Sequence, residues 1–211
     1  ARFIRQFQRA HLRAVVAAIV VAFLATTSSA AWILDGSGTI LSNETWTLTV
    51  AAVTVGGEAG LKVTGWTAGT NDLDLTGTPG KVYEVSGRFA SSGITSLQAP
   101  DTITYGADVF VNCTALTNAA LSAGVKTIGK SAFQGCTALT AVGPTEFPEL
   151  ISIGHNAFDG CTSLEQDFAL PALTALNHYV FRKTRATSII ASNVTWTGDS
   201  ACRSCPALKR V

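Results

Sequence analysis

From Lys81 onward the apolar positions of this chain recur in a fixed order. An aliphatic residue and a glycine come first, then Ala-Phe, then Cys, then Leu, with small polar residues between them. The order reads TIGKSAFQGCTAL from Thr127 to Leu139 and SIGHNAFDGCTSL from Ser152 to Leu164, with a worn copy, TYGADVFVNCTAL, from Thr104 to Leu116. The aromatic mark falls at Phe89, Phe110, Phe133, Phe158 and Phe181, and Cys202 takes the next place, at spacings of 21, 23, 25, 23 and 21 residues. A period in this range marks a solenoid, where each unit buries its apolar face only against its neighbours. Function is then expected on an extended surface rather than in a catalytic pocket.

Each unit carries two local signals. Ala132, Phe133, Cys136 and Leu139 are spaced i, i+1, i+4, i+7, which predicts a short helical turn facing inward. The pieces LTAV and ITSLQAP alternate and end at turn residues such as Pro100 and Pro144. They read as strands that stack into a parallel sheet along one side, on a right-handed path. Four residues before each aromatic mark stand Gly106, Gly129, Gly154, Asn177 and Gly198. Gly and Asn best tolerate positive φ, so this column predicts a left-handed turn before the helical piece. The expected fold is a right-handed α/β superhelix, mostly β with short helical turns, of about six rungs over residues 81–211. Between Trp32 and Gly80 no repeat is found. ETWTLTVAAVTVGG and LKVTGWTAGTNDLDLTGTPG are rich in Val, Thr, Trp and Leu and broken by Gly and Asn-Asp turns. They predict short strands over 31–80, forming either a β-rich cap on the first rung or a small β domain of its own.

At these residues the chain resembles the BspA-like leucine-rich repeats, whose units read roughly Ile-x-x-Ile-Gly-x-x-Ala-Phe-x-x-Cys-x-x-Leu-x-x-Val. Val125 to Val142 and Leu150 to Leu164 match closely. Units around Phe110, Phe181 and Cys202 are degenerate, and that around Phe89 is marginal. The resemblance implies a curved leucine-rich-repeat solenoid on exported or surface proteins, many bacterial and several implicated in adhesion. It implies far more about fold than about ligand, and residues 32–80 lie outside it.

Composition and charge narrow the partner. Arg2, Arg5, Arg9 and Arg13 precede an uncharged apolar run from Ala14 to Ala25, followed by Thr-Thr-Ser-Ser-Ala-Ala. This three-part layout predicts a signal peptide over residues 1–30, cleaved after Ala30 or Ala31; an uncleaved signal anchor is the alternative. Without those four arginines the formal charge of +1 becomes −3, and no basic stripe marks a nucleic-acid partner. Charged residues make up 14% of the chain, below the ~25% usual for soluble domains. Thr, Ser, Ala and Gly replace them, as on many exported surfaces. The terminal CPALKRV repeats the Cys-x-x-Leu-x-x-Val step, so the chain reads as cut inside a repeat of a longer protein.

Little in the sequence carries chemistry. Cys113, Cys136, Cys161 and Cys205 occupy one column, with Thr184 in the remaining unit, and Cys202 stands in the aromatic column. A ladder of buried thiols accounts for all five, against the disulfides an oxidising compartment would allow. Cys202-Arg-Ser-Cys205 is half a zinc motif without its second half. His155 and His178 lie one repeat apart, in a column with Ala107, Lys130 and Asp199. They read as polar residues beside a turn, with a weak metal site or pH-sensitive patch as the sharper alternative. Asp72, Asp74 and Glu84 read as turn and strand residues, and Asn71, Asp72 and Asp74 lack the remaining ligands of a calcium loop. No nucleophile elbow, phosphate loop or zinc-helix motif occurs, so no enzyme and no cofactor are expected. The expected function is a secreted or cell-surface recognition or adhesion module for a protein or glycan, with membrane contact only through the N-terminal segment. Its binding face is expected around Thr117, Thr140, Glu165 and Ser188. Leu116, Leu139 and Leu164 join the Phe and Cys columns as core. The alternative is a structural spacer or targeting segment in a larger exported protein or enzyme.

Overall fold

The computed structural model describes residues 31–43, 45–69 and 71–208, with only the backbone at Ala68. The arginine-flanked apolar segment and its predicted cleavage site lie outside the described residues.

Among the described residues every regular element is a strand. β1 (Ile33–Leu34), β2 (Ile40–Ser42) and β3 (Thr47–Val55) run antiparallel, and β3 turns back into β4 (Glu58–Ala68) through Gly56 and Gly57. Both glycines have positive φ, as a tight hairpin requires. β5 (Asp72–Asp74), β6 (Val82–Val85), β7 (Ser96–Ala99), β8 (Thr104–Tyr105), β9 (Asn118–Leu121), β10 (Thr127–Ile128), β11 (Ala141–Val142) and β12 (Ser152–Ile153) follow. β13 (Asp167–Ala169), β14 (Ala175–Leu176), β15 (Ser188–Ile190) and β16 (Trp196–Thr197) complete the set. Each rung contributes two short strands that pair in parallel with those of its neighbours, the rungs up to β12 in two ladders and the last two rungs in the separate pairs β13–β15 and β14–β16. The first ladder is eight-stranded in the order β1-β2-β3-β4-β6-β8-β10-β12, and the second is β11-β9-β7-β5. β4 pairs in parallel with β6, which joins the N-terminal hairpin to the repeats in a single sheet. The sheet read from LTAV and ITSLQAP is the second ladder. The first ladder, built from the residues before the glycine column, was not anticipated.

Two expectations are corrected. The apolar i, i+1, i+4, i+7 stripe forms no helix among the described residues. Phe110, Cys113 and Leu116 close successive four-residue turns instead, with the Cys113 N–H donating to the Phe110 carbonyl and the Leu116 N–H to the Cys113 carbonyl (3.1 Å each). Left-handed residues two before and two after the aromatic position stop a helix from propagating. These are Asp108 and Asn112, Ser131 and Gly135, Asn156 and Gly160, Tyr179 and Lys183, and Ser200 and Ser204.

The glycine column is not the left-handed position. Gly106, Gly129, Gly154 and Gly198 lack positive φ; they are small because the preceding rung lies against them. A Cβ on Gly129 would stand 2.5 Å from the Gly106 carbonyl carbon, and one on Gly154 or Gly198 would stand 2.3 or 2.5 Å from the backbone nitrogen of Lys130 or His178. This close approach lets the Gly129 and Gly154 N–H groups donate to the Tyr105 and Ile128 carbonyls, both at 2.8 Å. At Asn177 the column has a side chain, and there the first ladder stops: β12 is its last strand, and β14 pairs only with β16. The Asn177 side-chain amide donates to the Ile153 carbonyl at 2.6 Å, taking the acceptor that a glycine N–H would use.

The second ladder breaks in the longest repeat, after β11, and β13 pairs with β15. There Gly143-Pro144-Thr145-Glu146 bulges out and Phe147 turns back into the core against Phe168. Gln166 spans this gap as Asn177 spans the other, accepting from the Val142 N–H at 2.7 Å.

Candidate binding surfaces

The repeated residues are spent on the interior. Phe89, Phe110, Phe133, Phe158 and Phe181 are fully buried and stack rung on rung at centroid separations of 5.4, 5.2, 5.5 and 5.6 Å. Trp66 extends the stack towards the N-terminus, 5.7 Å from Phe89. Offset aromatic stacking of this kind adds roughly 0.5–1.5 kcal/mol per pair beyond area burial. Leu116, Leu139 and Leu164 line the same core.

Each column thiol donates to a phenylalanine carbonyl one rung back: Cys113 to Phe89 and Cys136 to Phe110 (both 3.1 Å), Cys161 to Phe133 (3.0 Å) and Cys205 to Phe181 (2.8 Å). Thr184, in the thiol's place, turns its hydroxyl to Phe181 of its own rung. Burial raises the Cys113 thiol, and burial pushes Cys202 up to about 11. Cys136 is held high by its contact with Cys161 and by burial. These are neutral thiols packed as small hydrophobes, the opposite of a reactive cysteine.

Along the second ladder and just past its last strand, Thr95, Thr117, Thr140 and Glu165 form one column. Their N–H groups donate backwards in turn: Thr117 to Thr95 at 2.8 Å, Thr140 to Thr117 at 2.9 Å, Glu165 to Thr140 at 3.2 Å. The Thr117 and Thr140 hydroxyls donate to the same carbonyls, at 3.0 and 2.9 Å, which fixes the rotamers and leaves hydroxyl lone pairs for solvent. Glu165 is exposed and pairs with Arg185 at 3.1 Å. Ser188 is not in this column. It stands half-buried opposite Asp167 in the β13–β15 pair, so three of the four expected face residues come together.

The turns that follow the glycine column carry the row that the sequence pattern set in one column. Lys130, His155 and His178 follow one another on successive rungs, and the two imidazoles stack at 5.1 Å with planes 14° apart. Trp196, 47% exposed, meets His178 edge-on at 5.4 Å and 76°. The Asp199 N–H donates to His178 Nδ1 at 2.8 Å, which leaves that ring's proton on Nε2. Rings stacked face to face hold their nitrogens at separate levels, and among the described residues no three His, Cys, Asp or Glu side chains gather to hold a metal ion. The signal for Trp196 was available: it is a large aromatic in the outward position before Gly198, where the other rungs carry Thr, Ser or Ala. Nearby, Asp159 is buried and held by the Arg182 guanidinium in a two-pronged pair at 2.7 and 2.5 Å, and that guanidinium lies 4.4 Å over the Tyr179 ring.

At the N-terminal end the carboxylates are structural. Asp72 accepts from the Thr95 and Ser96 hydroxyls at 2.7 and 2.8 Å, bonds that hold it below the usual carboxylate range. Asp74 accepts from the Thr76 N–H, and Glu84 pairs with Lys62 at 2.7 Å. Among the described residues no helix is long and apolar enough to cross a membrane.

The solenoid and its open faces agree with what the chain resembles. A leucine-rich cell surface protein of Faecalibacterium prausnitzii A2-165 is 24% identical with a TM-score of 0.54, the match covering 80% of this chain and 53% of that one. A leucine-rich repeat protein of T. pallidum is 22% identical with a TM-score of 0.49, over 75% of this chain and 66% of that one. The chain thus spans about half the length of the Faecalibacterium protein. No curated protein matches it. The family model for the BspA type leucine rich repeat region matches six copies across residues 85–209, well over half of the chain, in step with the aromatic, thiol and glycine columns. The chain belongs to the BspA-type leucine-rich repeat family.

Proposed function

We propose that this chain is a non-catalytic recognition module of an exported or surface-displayed protein, binding a protein or glycan through the second ladder. The observation that carries this is the Thr95–Thr117–Thr140–Glu165 column on successive rungs, in which the exposed Thr117 and Thr140 side chains are held in one rotamer by hydroxyl bonds to the rung behind and the exposed Glu165 pairs with Arg185 of the next rung. Side chains already ordered lose little entropy on binding, and affinity is spread over several rungs. The BspA-type membership and the surface location of the Faecalibacterium protein support export. The test is biolayer interferometry of the chain against purified extracellular-matrix proteins and immobilised glycans. Thr117→Ala, Thr140→Ala and Glu165→Ala should each weaken binding less than about fivefold, and the triple variant at least about thirtyfold. Abolition by one of these changes, or no effect of all three, contradicts a shared surface. Because the chain spans half of a longer relative, a spacer role in a larger exported protein is the second reading, and it predicts no binding in either format.

A further inference from the structure

The turns that follow the glycine column carry a second, chemically different surface. His155 and His178 stack through their faces and so turn ring edges outward. The proton on His178 Nε2 makes that edge a donor, and among the described residues the His155 ring nitrogens make no hydrogen bond with the protein. Lys130 precedes them in the same column, exposed and, among the described residues, outside every ion pair. Backbone bonds link their rungs, the Ser131 N–H donating to the His155 carbonyl at 2.9 Å and the Asn156 N–H to the His178 carbonyl at 3.1 Å, so donors recur at the rung spacing along one line. At its end Trp196 turns its plane across the imidazoles, and its half-exposed indole offers a flat apolar plate.

A cation, two edge N–H donors and an aromatic plate in a row fit a chain that alternates anionic oxygens with apolar ring faces. We propose that Lys130, His155, His178 and Trp196 form a binding strip for an anionic glycan, the uronate or sulfate oxygens meeting the donors and one sugar ring lying against the indole. An extended acidic peptide fits less well, because its same-side carboxylates recur about every 7 Å, against the 5.1 Å step between the imidazoles. Asp199 lies at the indole end, 4.0 Å from His178 Nδ1, and disfavours an anion there, so the charged groups belong over Lys130 and His155. The formal charge beyond residue 30 is −3, so general attraction to polyanions does not supply the binding.

Affinity electrophoresis of the whole chain separates the possibilities, with polygalacturonate or dextran sulfate in the gel and neutral dextran or poly-glutamate as comparisons. At physiological salt one or both anionic glycans should retard the protein, while dextran and poly-glutamate leave it unmoved. Trp196→Ala and the double change His155→Ala/His178→Ala should each weaken the retardation at least about fivefold. These side chains lie outside the buried core, and an unchanged circular dichroism melting curve confirms the fold of each variant. Carboxylate and sulfate sources are told apart by which gel acts. No retardation by either glycan, equal retardation by poly-glutamate, or full retardation of the variants would overturn the assignment. Because this strip and the second ladder are separate faces, Thr117→Ala/Thr140→Ala/Glu165→Ala leaves the retardation intact whatever becomes of the surface proposed above.

Discussion

Two positions in each rung show how little of the residue scale follows from hydrophobicity alone. From the Phe110 rung onward, left-handed backbone is found two residues before and two after the aromatic position. Most rungs meet this with Asn, Asp, Ser or Gly, whose short polar side chains tolerate it. That signal stood in the sequence as the columns Asp108, Ser131, Asn156, Ser200 and Asn112, Gly135, Gly160, Ser204. It was overshadowed by the glycine column, where size and not dihedral freedom is decisive. The rung around Phe181 departs from the pattern at both places, with Tyr179 at φ 59° and Lys183 at φ 64°. Tyr179 is compensated by the Arg182 guanidinium on its ring. Lys183 is exposed and its side chain makes no hydrogen bond or ion pair among the described residues, so its strain is uncompensated. Lys183→Gly should therefore stabilise the protein by about 1 kcal/mol, because an L side chain in this region costs roughly 1–2 kcal/mol. A urea midpoint that falls would show that Lys183 contributes something other than strain.

At the scale of elements, the repeat period and the second ladder were legible, and the first ladder and the turns were not. β8, β10, β12, β14 and β16 are two residues long each, too short for alternation to show, and beside all of them but β14 a glycine lets the neighbouring rung close up. The predicted helical turn failed for a related reason. Apolar residues three apart, each closing its own turn, give nearly the same stripe as a helix, and only the left-handed residues between them tell the two apart. Both ladder breaks fall where a column is interrupted, at Asn177 and at the bulge before Phe147, and side-chain amides bridge both. Asn177→Ala removes the donor to the Ile153 carbonyl but keeps the Cβ that holds the backbone off, and should cost about 1 kcal/mol. Asn177→Gly lets the backbone close as in the other rungs and should cost less than half of that. If chemical denaturation ranks the two variants the other way, Asn177 does not stand in for a glycine N–H.

Over the whole molecule, stability and recognition are divided between repeated and non-repeated positions. The phenylalanine, cysteine, leucine and glycine columns face the core or the neighbouring backbone, while the proposed surfaces use outward positions, where Thr95, Thr117 and Thr140 give way to Glu165 and Lys130 gives way to His155 and His178. This is why the fold was readable from a single sequence and the partner was not: packing recurs, whereas a ligand is met once. The thiol column follows the same division. Native Cys113, Cys136 and Cys161 should stay unmodified by a maleimide at pH 8 for hours and react within minutes in denaturant without reductant. Fast native labelling would place them outside the core. The central claim is that one continuous stack holds the rungs together, and equilibrium unfolding of Phe133→Ala, which removes the ring between Phe110 and Phe158, tests it most directly. A loss of about 3–5 kcal/mol is predicted for so buried an aromatic, whereas a loss below about 1 kcal/mol would contradict a core built on that column.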